Sequence, residues 1–182
     1  MNTKVAYIIA EGKFDAELIK QLLPDLTDQF QSIGVLTAPN YSSALSIAQS
    51  VLLQTKRPAL LIIDADTTDE IRIREKRTFI EQYVRINGMT CDVAFAVPVL
   101  EVLFFADKSA LETALGKSIS DDVWALARLS PKQGIELLVG KSREIAVAQL
   151  LENKPLRQKI AQTPLVSEIN TFIQAALQPV SV

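Results

Sequence analysis

Four short apolar runs, separated by segments with helical periodicity, constrain the fold of this sequence more than any other feature. The runs span residues 4–10, 33–38, 59–64 and 91–97. Each is almost continuously apolar, which is typical of strands that are buried on both faces of a sheet. Strands that alternate with helices in this order predict an α/β fold: a Rossmann-like, four-stranded parallel sheet with helices on both faces.

Turn and capping signals give approximate bounds for the three helices between these strands. The first begins near Phe14 and is expected to stop at Pro24, because proline interrupts helical hydrogen bonding. Asn40 or Ser42 is expected to cap the second helix. The third is predicted over residues 68–85. Its predicted inner face consists of Ile71, Phe79, Ile80 and Val84.

The sequence after residue 98 contains helical patterns and no convincing strand. The breaks between its short helices are predicted at Gly116, Ser130, Gly140, Pro155 and Pro164. We therefore expect an α/β domain over residues 1–107 and a helical extension over residues 108–182 packed on it, or one domain that combines both.

Composition removes several classes of chemistry. None of the 182 residues is histidine, which excludes histidine-based triads, histidine zinc sites and imidazole bases. The net charge of −2 gives no overall attraction to nucleic acid, so binding would need a local basic patch or a metal bridge. The single cysteine, Cys91, heads an apolar run and fits a reducing compartment. No apolar run approaches the roughly 18 residues of a membrane span. These features predict a cytoplasmic protein without membrane contact.

Acidic residues follow three of the four predicted strands. Glu11 follows the first strand, Asp64 and Asp66 follow the third, and Glu101 follows the fourth. Ligands of open parallel sheets bind beyond the carboxyl ends of the strands. We therefore expect Glu11, Asp64 and Asp66 to meet at one edge of the sheet.

The spacing of Asp64 and Asp66 has an electrostatic consequence. In an extended chain the two carboxylates would lie about 6–7 Å apart on one face. At that distance they repel each other by about 2 kcal/mol at an effective dielectric constant of about 20. Either their pKa values rise or a cation supplies the missing charge. An all-oxygen donor set favours Mg²⁺, Mn²⁺ or Ca²⁺ over zinc.

Each of these acids also has a purely structural explanation. Asp64 and Asp66 could cap the helix that is predicted to begin near Thr68, and Asp15 could offset the dipole of the first helix. Glu101 lies in an otherwise apolar helix start, where it is either exposed or a ligand that faces the site.

Two motifs resemble the TOPRIM (topoisomerase–primase) domain. Residues 8–16 read Ile-Ile-Ala-Glu-Gly-Lys-Phe-Asp-Ala, which is similar to the apolar strand and Glu-Gly-x-x-Asp-Ala motif of that family. Residues 60–66 read Leu-Leu-Ile-Ile-Asp-Ala-Asp, which is similar to its strand and Asp-x-Asp motif. Residues 98–107 resemble the Glu-containing helix of small OLD-like and RloB-like TOPRIM proteins.

The resemblance implies a Mg²⁺- or Mn²⁺-dependent nuclease that cleaves phosphodiesters of DNA or RNA, in a family linked to defence against phage and mobile elements. It implies that Glu11, Asp64 and Asp66 are catalytic and bind the metal, and that Asp15 and Glu101 are ligands of a second ion. OLD nucleases typically carry an ATPase domain, and these residues contain no Gly-x-x-x-x-Gly-Lys-Ser/Thr stretch. A separate ATPase partner is therefore expected, and a homodimer is left open.

Basic residues of the extension are candidates to hold the scissile phosphate. They are Lys132, Lys141 and Arg143, which could equally be solvated surface charges. Two other functions stay open. One is a TOPRIM-shaped module that binds metal or nucleic acid without cleavage. The other is a phosphatase of the haloacid-dehalogenase type, in which Asp64 would be the nucleophile and Asp66 the acid/base.

Overall fold

The computed structural model describes residues 4–178 and contains one parallel sheet. Its four strands lie in the order β2-β1-β3-β4. Their bounds are Ala6–Glu11 for β1, Ile33–Ala38 for β2, Ala59–Asp64 for β3 and Asp92–Ala96 for β4. The predicted α/β fold is confirmed, and every predicted strand lies within two residues of its predicted position.

The register of the sheet places two acids at its centre. Strands β1 and β3 are the inner pair, and Ala10 lies opposite Ile62. Glu11 is the last residue of β1 and Asp64 is the last residue of β3, where it lies opposite Ala96 of β4. The two carboxylates therefore leave neighbouring strands at the same edge, as expected for parallel strands.

Helices cover both faces of the sheet. Within residues 4–178 they are α1 Lys13–Leu26, α2 Tyr41–Thr55, α3 Glu70–Val84, α4 Lys108–Leu115, α5 Asp121–Leu129, α6 Pro131–Val139, α7 Arg143–Leu151, α8 Lys154–Ala161 and α9 Pro164–Leu177. Two short 3-10 helices span Phe30–Ser32 and Leu100–Phe105.

The hydrophobic core consists of two apolar clusters, one on each face of the sheet. One cluster packs α2 and α3 on the sheet through residues such as Leu45, Leu52 and Ile80. The other joins α1 to the C-terminal helices, and it contains Ile8 and Leu22 together with Ile135. The helices after residue 108 therefore share a core with one face of the sheet, because α1 alone does not cover it.

Most of the predicted breaks in the extension are confirmed. Gly116 and Gly140 end α4 and α6 in the left-handed conformation, with φ values of 65° and 72°. Pro131 and Pro164 open α6 and α9, where their missing N–H groups remove no helical bond. Asn40 caps α2 by accepting a hydrogen bond from the Ser43 backbone N–H at 2.9 Å, as predicted.

The predicted end of the first helix is wrong. Helix α1 continues through Pro24 to Leu26. Pro24 lies in the last turn of α1. Its missing N–H removes one intrahelical hydrogen bond, but the last turn still forms.

The predicted inner face of α3 is partly wrong. Ile80 and Val84 are fully buried, but Ile71 is 65% exposed and Phe79 is 54% exposed. The buried stripe instead begins at Ile73, which packs against the α2 side of the core. The helix also begins at Glu70 rather than near residue 68, and Asp69 is its N-cap. This result removes the explanation of Asp64 and Asp66 as capping residues.

None of the helices in the described part of the chain is long and apolar enough to cross a membrane.

Helices α5 and α6 approach so closely that only glycine fits at their contact. A Cβ atom on Gly134 would lie 2.7 Å from the carbonyl oxygen of Ala127 and 2.8 Å from its Cα. The obstructing atoms are backbone, so the helices would have to separate.

We predict that Gly134→Ala lowers the free energy of unfolding by about 1–3 kcal/mol, the usual cost of overpacking. Gln133→Ala, at an exposed position of the same helix, should stay within about 0.5 kcal/mol of wild type. Urea unfolding measures both. Equal stabilities of the two variants would contradict the close packing of α5 and α6.

Candidate functional site

Six acidic side chains line one open cleft of about 700 Å³ at the carboxyl edge of the sheet. Four of them are the predicted acids Glu11, Asp15, Asp64 and Asp66, and the other two are Glu17 and Glu144. Glu11 and Asp64 end the two inner strands, and Asp15 lies in the first turn of α1. The structure thus brings together the three principal predicted acids and one of the two secondary ones.

Asp64 is held by groups from three other parts of the chain. Its Oδ1 accepts a hydrogen bond from the Leu100 backbone N–H at 2.9 Å, and its Oδ2 accepts one from the Lys132 ammonium at 3.0 Å. Its backbone carbonyl accepts a hydrogen bond from Lys76 at 2.8 Å. The Asp64 side chain is only 13% exposed, so these contacts fix its position.

Asp66 lies on a sharp turn rather than on an extended strand. Its φ is 55°, in the left-handed region that aspartate tolerates better than most residues. Its backbone N–H donates to the Pro98 carbonyl at 2.8 Å, which ties the turn to the segment after β4. The expectation that Asp64 and Asp66 share one face of an extended chain is therefore wrong, although both line the cleft.

Burial and mutual repulsion favour the neutral forms of two of these acids. Burial, and then the charge of Asp64, raise the pKa of Glu11 above its ordinary value, while Lys76 acts in the opposite direction. Burial, followed by the charges of Asp64 and Glu101, raises the pKa of Asp15 from 3.8 to about 7. The cleft therefore concentrates more negative charge than its own cations neutralise.

Two of the three predicted basic residues line the cleft. Lys132 comes from α6 and Arg143 is the first residue of α7, so the extension folds back over the strand ends. The hydrogen bond to Asp64 raises the pKa of Lys132, although burial acts to lower it. Lys141 is not brought to the cleft, and its ammonium instead donates to Gln149 Oε1 at 2.9 Å.

Glu101 does not occupy the exposed environment that is one of its two predicted alternatives. Its side chain is completely buried in the 3-10 helix Leu100–Phe105 and does not line the cleft. Oε1 accepts a hydrogen bond from Arg143 Nη1 at 2.9 Å. This burial corrects the expectation of an exposed residue, whereas the predicted role of Glu101 as a ligand of a second ion stays a prediction. An arginine 42 residues away supplies the charge that a buried carboxylate needs.

Lys76 and Phe14 were not predicted as site residues. Lys76 bonds to the Asp64 backbone and lies 5.2 Å above the centre of the Tyr41 ring. The Phe14 ring lies 4.2 Å from the guanidinium carbon of Arg143. A signal for Lys76 was present in the sequence, because it lies at helical spacing between Ile73 and Ile80 on the buried stripe of α3.

The donor set of the cleft fits a hard divalent cation. The lining acids all offer oxygen, and burial and mutual repulsion leave Glu11 and Asp15 short of positive charge. However, no three acids between residues 4 and 178 are arranged as a metal-binding group. The Lys132 ammonium lies 3.0 Å from Asp64 Oδ2, at the place where a metal ion bound to that oxygen would lie. A bound ion would have to displace that ammonium and draw the flanking carboxylates together.

The parallel sheet, the acids at its edge and the helices folded over them define an α/β protein with one acid-lined cleft. Among solved structures, it is similar to the C-terminal region of the Burkholderia pseudomallei OLD protein, with a TM-score of 0.54 and 15% sequence identity, covering 96% of this chain and 99% of that one. This similarity shows that the chain shares the fold of that C-terminal region, in agreement with the predicted OLD-like resemblance.

A second structure, the C-terminal region of the Xanthomonas campestris pv. campestris OLD protein, matches with a TM-score of 0.42 and 13% identity, covering 96% of this chain and 93% of that one. No protein family profile matches the sequence, and no curated protein sequence matches it.

The raised pKa of Asp15 predicts a specific pH dependence of stability. The folded protein retains the Asp15 proton up to about pH 7, whereas the unfolded chain loses it near pH 4. The contribution of this group to stability is therefore full below about pH 4 and lost as the pH rises through 7. Asp15→Asn removes that loss, so the variant should become increasingly stable relative to wild type across this interval.

Urea unfolding at several pH values, in buffer with a chelator, measures this difference. Asp28→Asn, at an exposed position outside the cleft, controls for the removal of one negative charge. A stability difference between Asp15→Asn and wild type that does not change with pH would show that Asp15 is already ionised in the folded protein.

Proposed function

We propose that this protein is a Mg²⁺- or Mn²⁺-dependent nuclease that hydrolyses phosphodiester bonds of DNA or RNA. The observation that carries the proposal is the convergence of Glu11, Asp15, Asp64 and Asp66 in one cleft with Lys132 and Arg143. Carboxylates alone would repel a polyanion, and cations alone would bind it without chemistry. The combination supports both metal binding and phosphate binding.

The acids would hold the metal according to their positions. Glu11 and Asp64 leave adjacent strands and offer carboxylates from fixed backbone, and Asp66 adds a third from the turn. Asp15 lies on the α1 side of the cleft, where it would complete a site for a second ion. When bound, such ions supply Lewis-acid activation of water and stabilisation of the leaving oxygen.

The two cations would hold the substrate phosphate. Lys132 would exchange its carboxylate partner for a phosphate oxygen when a metal takes over Asp64. Arg143 already lies in the cleft, with its guanidinium carbon 4.2 Å from the centre of the Phe14 ring. Lys141 has no part in this proposal, because it lies outside the cleft.

Two features of the biological setting follow from the OLD-like fold as proposals. The activity would serve defence against phage or mobile elements, and an ATPase on a separate chain would regulate it. Both proposals depend on the proposed nuclease activity and are wrong if the protein is not a nuclease.

A non-catalytic binding module is the second candidate, and one observation favours it. Asp64 is already paired with Lys132, and Glu101 is already paired with Arg143. The cleft can therefore exist in a metal-free, partly neutralised state. The phosphatase alternative has less support, because Asp64 ends the third strand in sequence, whereas that fold places its nucleophile on the first.

Metal binding is the first test of the proposal. We expect millimolar Mg²⁺ or Mn²⁺ to raise the melting temperature, because a ligand that binds only the folded state at about 100 times its Kd stabilises it by about 2.7 kcal/mol. The double variant Asp64→Asn, Asp66→Asn should lose this increase. Glu75→Gln, at an exposed position of α3 outside the cleft, should retain it. The absence of any shift and of any calorimetric signal with either ion would exclude the metal-dependent mechanism.

Cleavage separates the nuclease from the binding module. Wild type with Mg²⁺ or Mn²⁺ should cut labelled DNA or RNA, and Glu11→Gln and Asp64→Asn should each reduce the rate by at least about 100-fold, the scale of losing a group that acts in the transition state. Both variants should keep the wild-type far-UV circular dichroism, and Glu75→Gln should cut at the wild-type rate. Metal binding without cleavage of either polymer would favour the binding module.

A further inference from the structure

We propose that Glu101 is a positioning residue for Arg143 rather than a metal ligand, and that together with Phe14 it fixes the guanidinium as a clamp for a phosphate group. The assignment of phosphate as the ligand rests on the proposed function. The positioning itself rests on contacts that do not depend on it.

The environment of Glu101 shows what this carboxylate can reach. It is completely buried, and its neighbours Leu100, Leu103, Phe104 and Phe105 are buried apolar residues. Arg143 Nη1 is its one hydrogen-bond partner in residues 4–178, and Oε2 is buried without a partner there. A carboxylate in such surroundings needs a close cation, and Arg143 supplies it.

The position of Glu101 does not suit an ion in the cleft. Glu11, Asp15, Asp64 and Asp66 line the cleft, whereas Glu101 lies behind it. An ion bound by Glu101 would have to displace the guanidinium and enter the apolar layer around the 3-10 helix. The acids in the cleft offer a bound ion a hydrated position without that cost.

Arg143 is restrained in two directions. Its Nη1 is bonded to Glu101 on the buried side, and its guanidinium carbon lies 4.2 Å from the centre of the Phe14 ring. The cation–π contact with Phe14 restrains the group on one side, and the ion pair with Glu101 restrains it on the other. A side chain with four flexible torsions is thereby ordered before any ligand arrives.

The restrained guanidinium keeps donors available for an anion. It carries five N–H donors, and Glu101 takes one of them. Nη2 lies 3.9 Å from Glu144, which is too long for a hydrogen bond, and Arg143 is 28% exposed where it lines the cleft. Two donors of a planar guanidinium match two oxygens of a phosphate.

Side-chain NMR of Arg143 tests the positioning without any ligand. In wild type, hindered rotation about the Nε–Cζ bond should give resolved Nη resonances. In Glu101→Gln they should collapse to an average, because a neutral amide holds the guanidinium weakly. Resolved resonances in the variant would overturn the proposal.

Calorimetric titration with Mn²⁺ separates positioning from metal ligation. We expect Glu101→Gln to bind Mn²⁺ within twofold of wild type, whereas Asp64→Asn should bind it at least tenfold more weakly. A tenfold loss in Glu101→Gln would make Glu101 a metal ligand and overturn the proposal.

Binding of a fluorescein-labelled single-stranded phosphorothioate DNA in Ca²⁺ tests the clamp. Glu101→Gln should weaken binding about 3- to 10-fold with an unchanged salt slope, and Arg143→Ala should weaken it as much or more and lower the slope by about one. The two effects should not add in the double variant, because Glu101 acts through Arg143. Lys141→Ala is the matched control and should bind like wild type. Additive losses would overturn the positioning role.

A second variant covers a failure of Glu101→Gln to fold. Arg143→Lys keeps the charge beside Glu101 but cannot lie flat on Phe14. It should lose the same 3- to 10-fold in DNA affinity and keep its Mn²⁺ affinity; unchanged DNA affinity would overturn the clamp. If wild type binds no DNA, the proposed function and the phosphate clamp fail, while the NMR and Mn²⁺ measurements still decide the role of Glu101.

Discussion

The ion pair between Asp64 and Lys132 connects the two halves of the chain at the cleft. These residues are 68 positions apart, and their contact joins the carboxyl end of β3 to α6. The sheet topology makes such a contact necessary, because parallel strands collect the acids that follow them at one edge. The carboxylates that line the cleft need counter-charge, and the helices that cover the edge supply part of it through Lys132 and Arg143. The helical extension is therefore part of the site as well as of the core.

The fold was largely predictable because its strands are buried on both faces. Two-sided burial produces near-continuous apolar runs, and such runs can be located without knowing the tertiary structure. Helices were harder to predict where tertiary packing decides which face is buried. In α3 the contacts with α2 and β4 bury Ile80 and Val84, partly bury Ile73 and leave Phe79 54% exposed. The helical spacing of the apolar residues is compatible with the predicted inner face, which contains Ile71 and Phe79, and with the observed one, which begins at Ile73. The sequence alone therefore did not distinguish the two faces.

The candidate site was predictable to the extent that it depends on strand ends. Glu11, Asp64 and Asp66 follow buried strands, and their placement in one cleft comes from that position alone. The partners of these acids were not predictable, because they come from distant segments whose docking angle no local pattern encodes. Glu101 illustrates this limit: its sequence context gave an exposed acid or a ligand, and only the approach of Arg143 from α7 makes full burial of the carboxylate tolerable.

The ion pairs of the cleft also bear on how one surface could attract both a metal and a polyanion. Lys132 neutralises Asp64, and its charge also opposes the rise in the pKa of Asp15 that burial and the charge of Asp64 cause. On the proposed function, Glu11, Asp64 and Asp66 would hold a divalent ion, which would supply the positive charge that Lys132 now supplies to Asp64. The Lys132 ammonium would then be available to the substrate, and it would change its partner without a large movement of the backbone. Arg143 differs from Lys132 in this respect, because its partner Glu101 lies behind the cleft and stays paired throughout. On these two proposals, the cleft would combine one cation that exchanges its partner, Lys132, with one whose orientation is kept, Arg143.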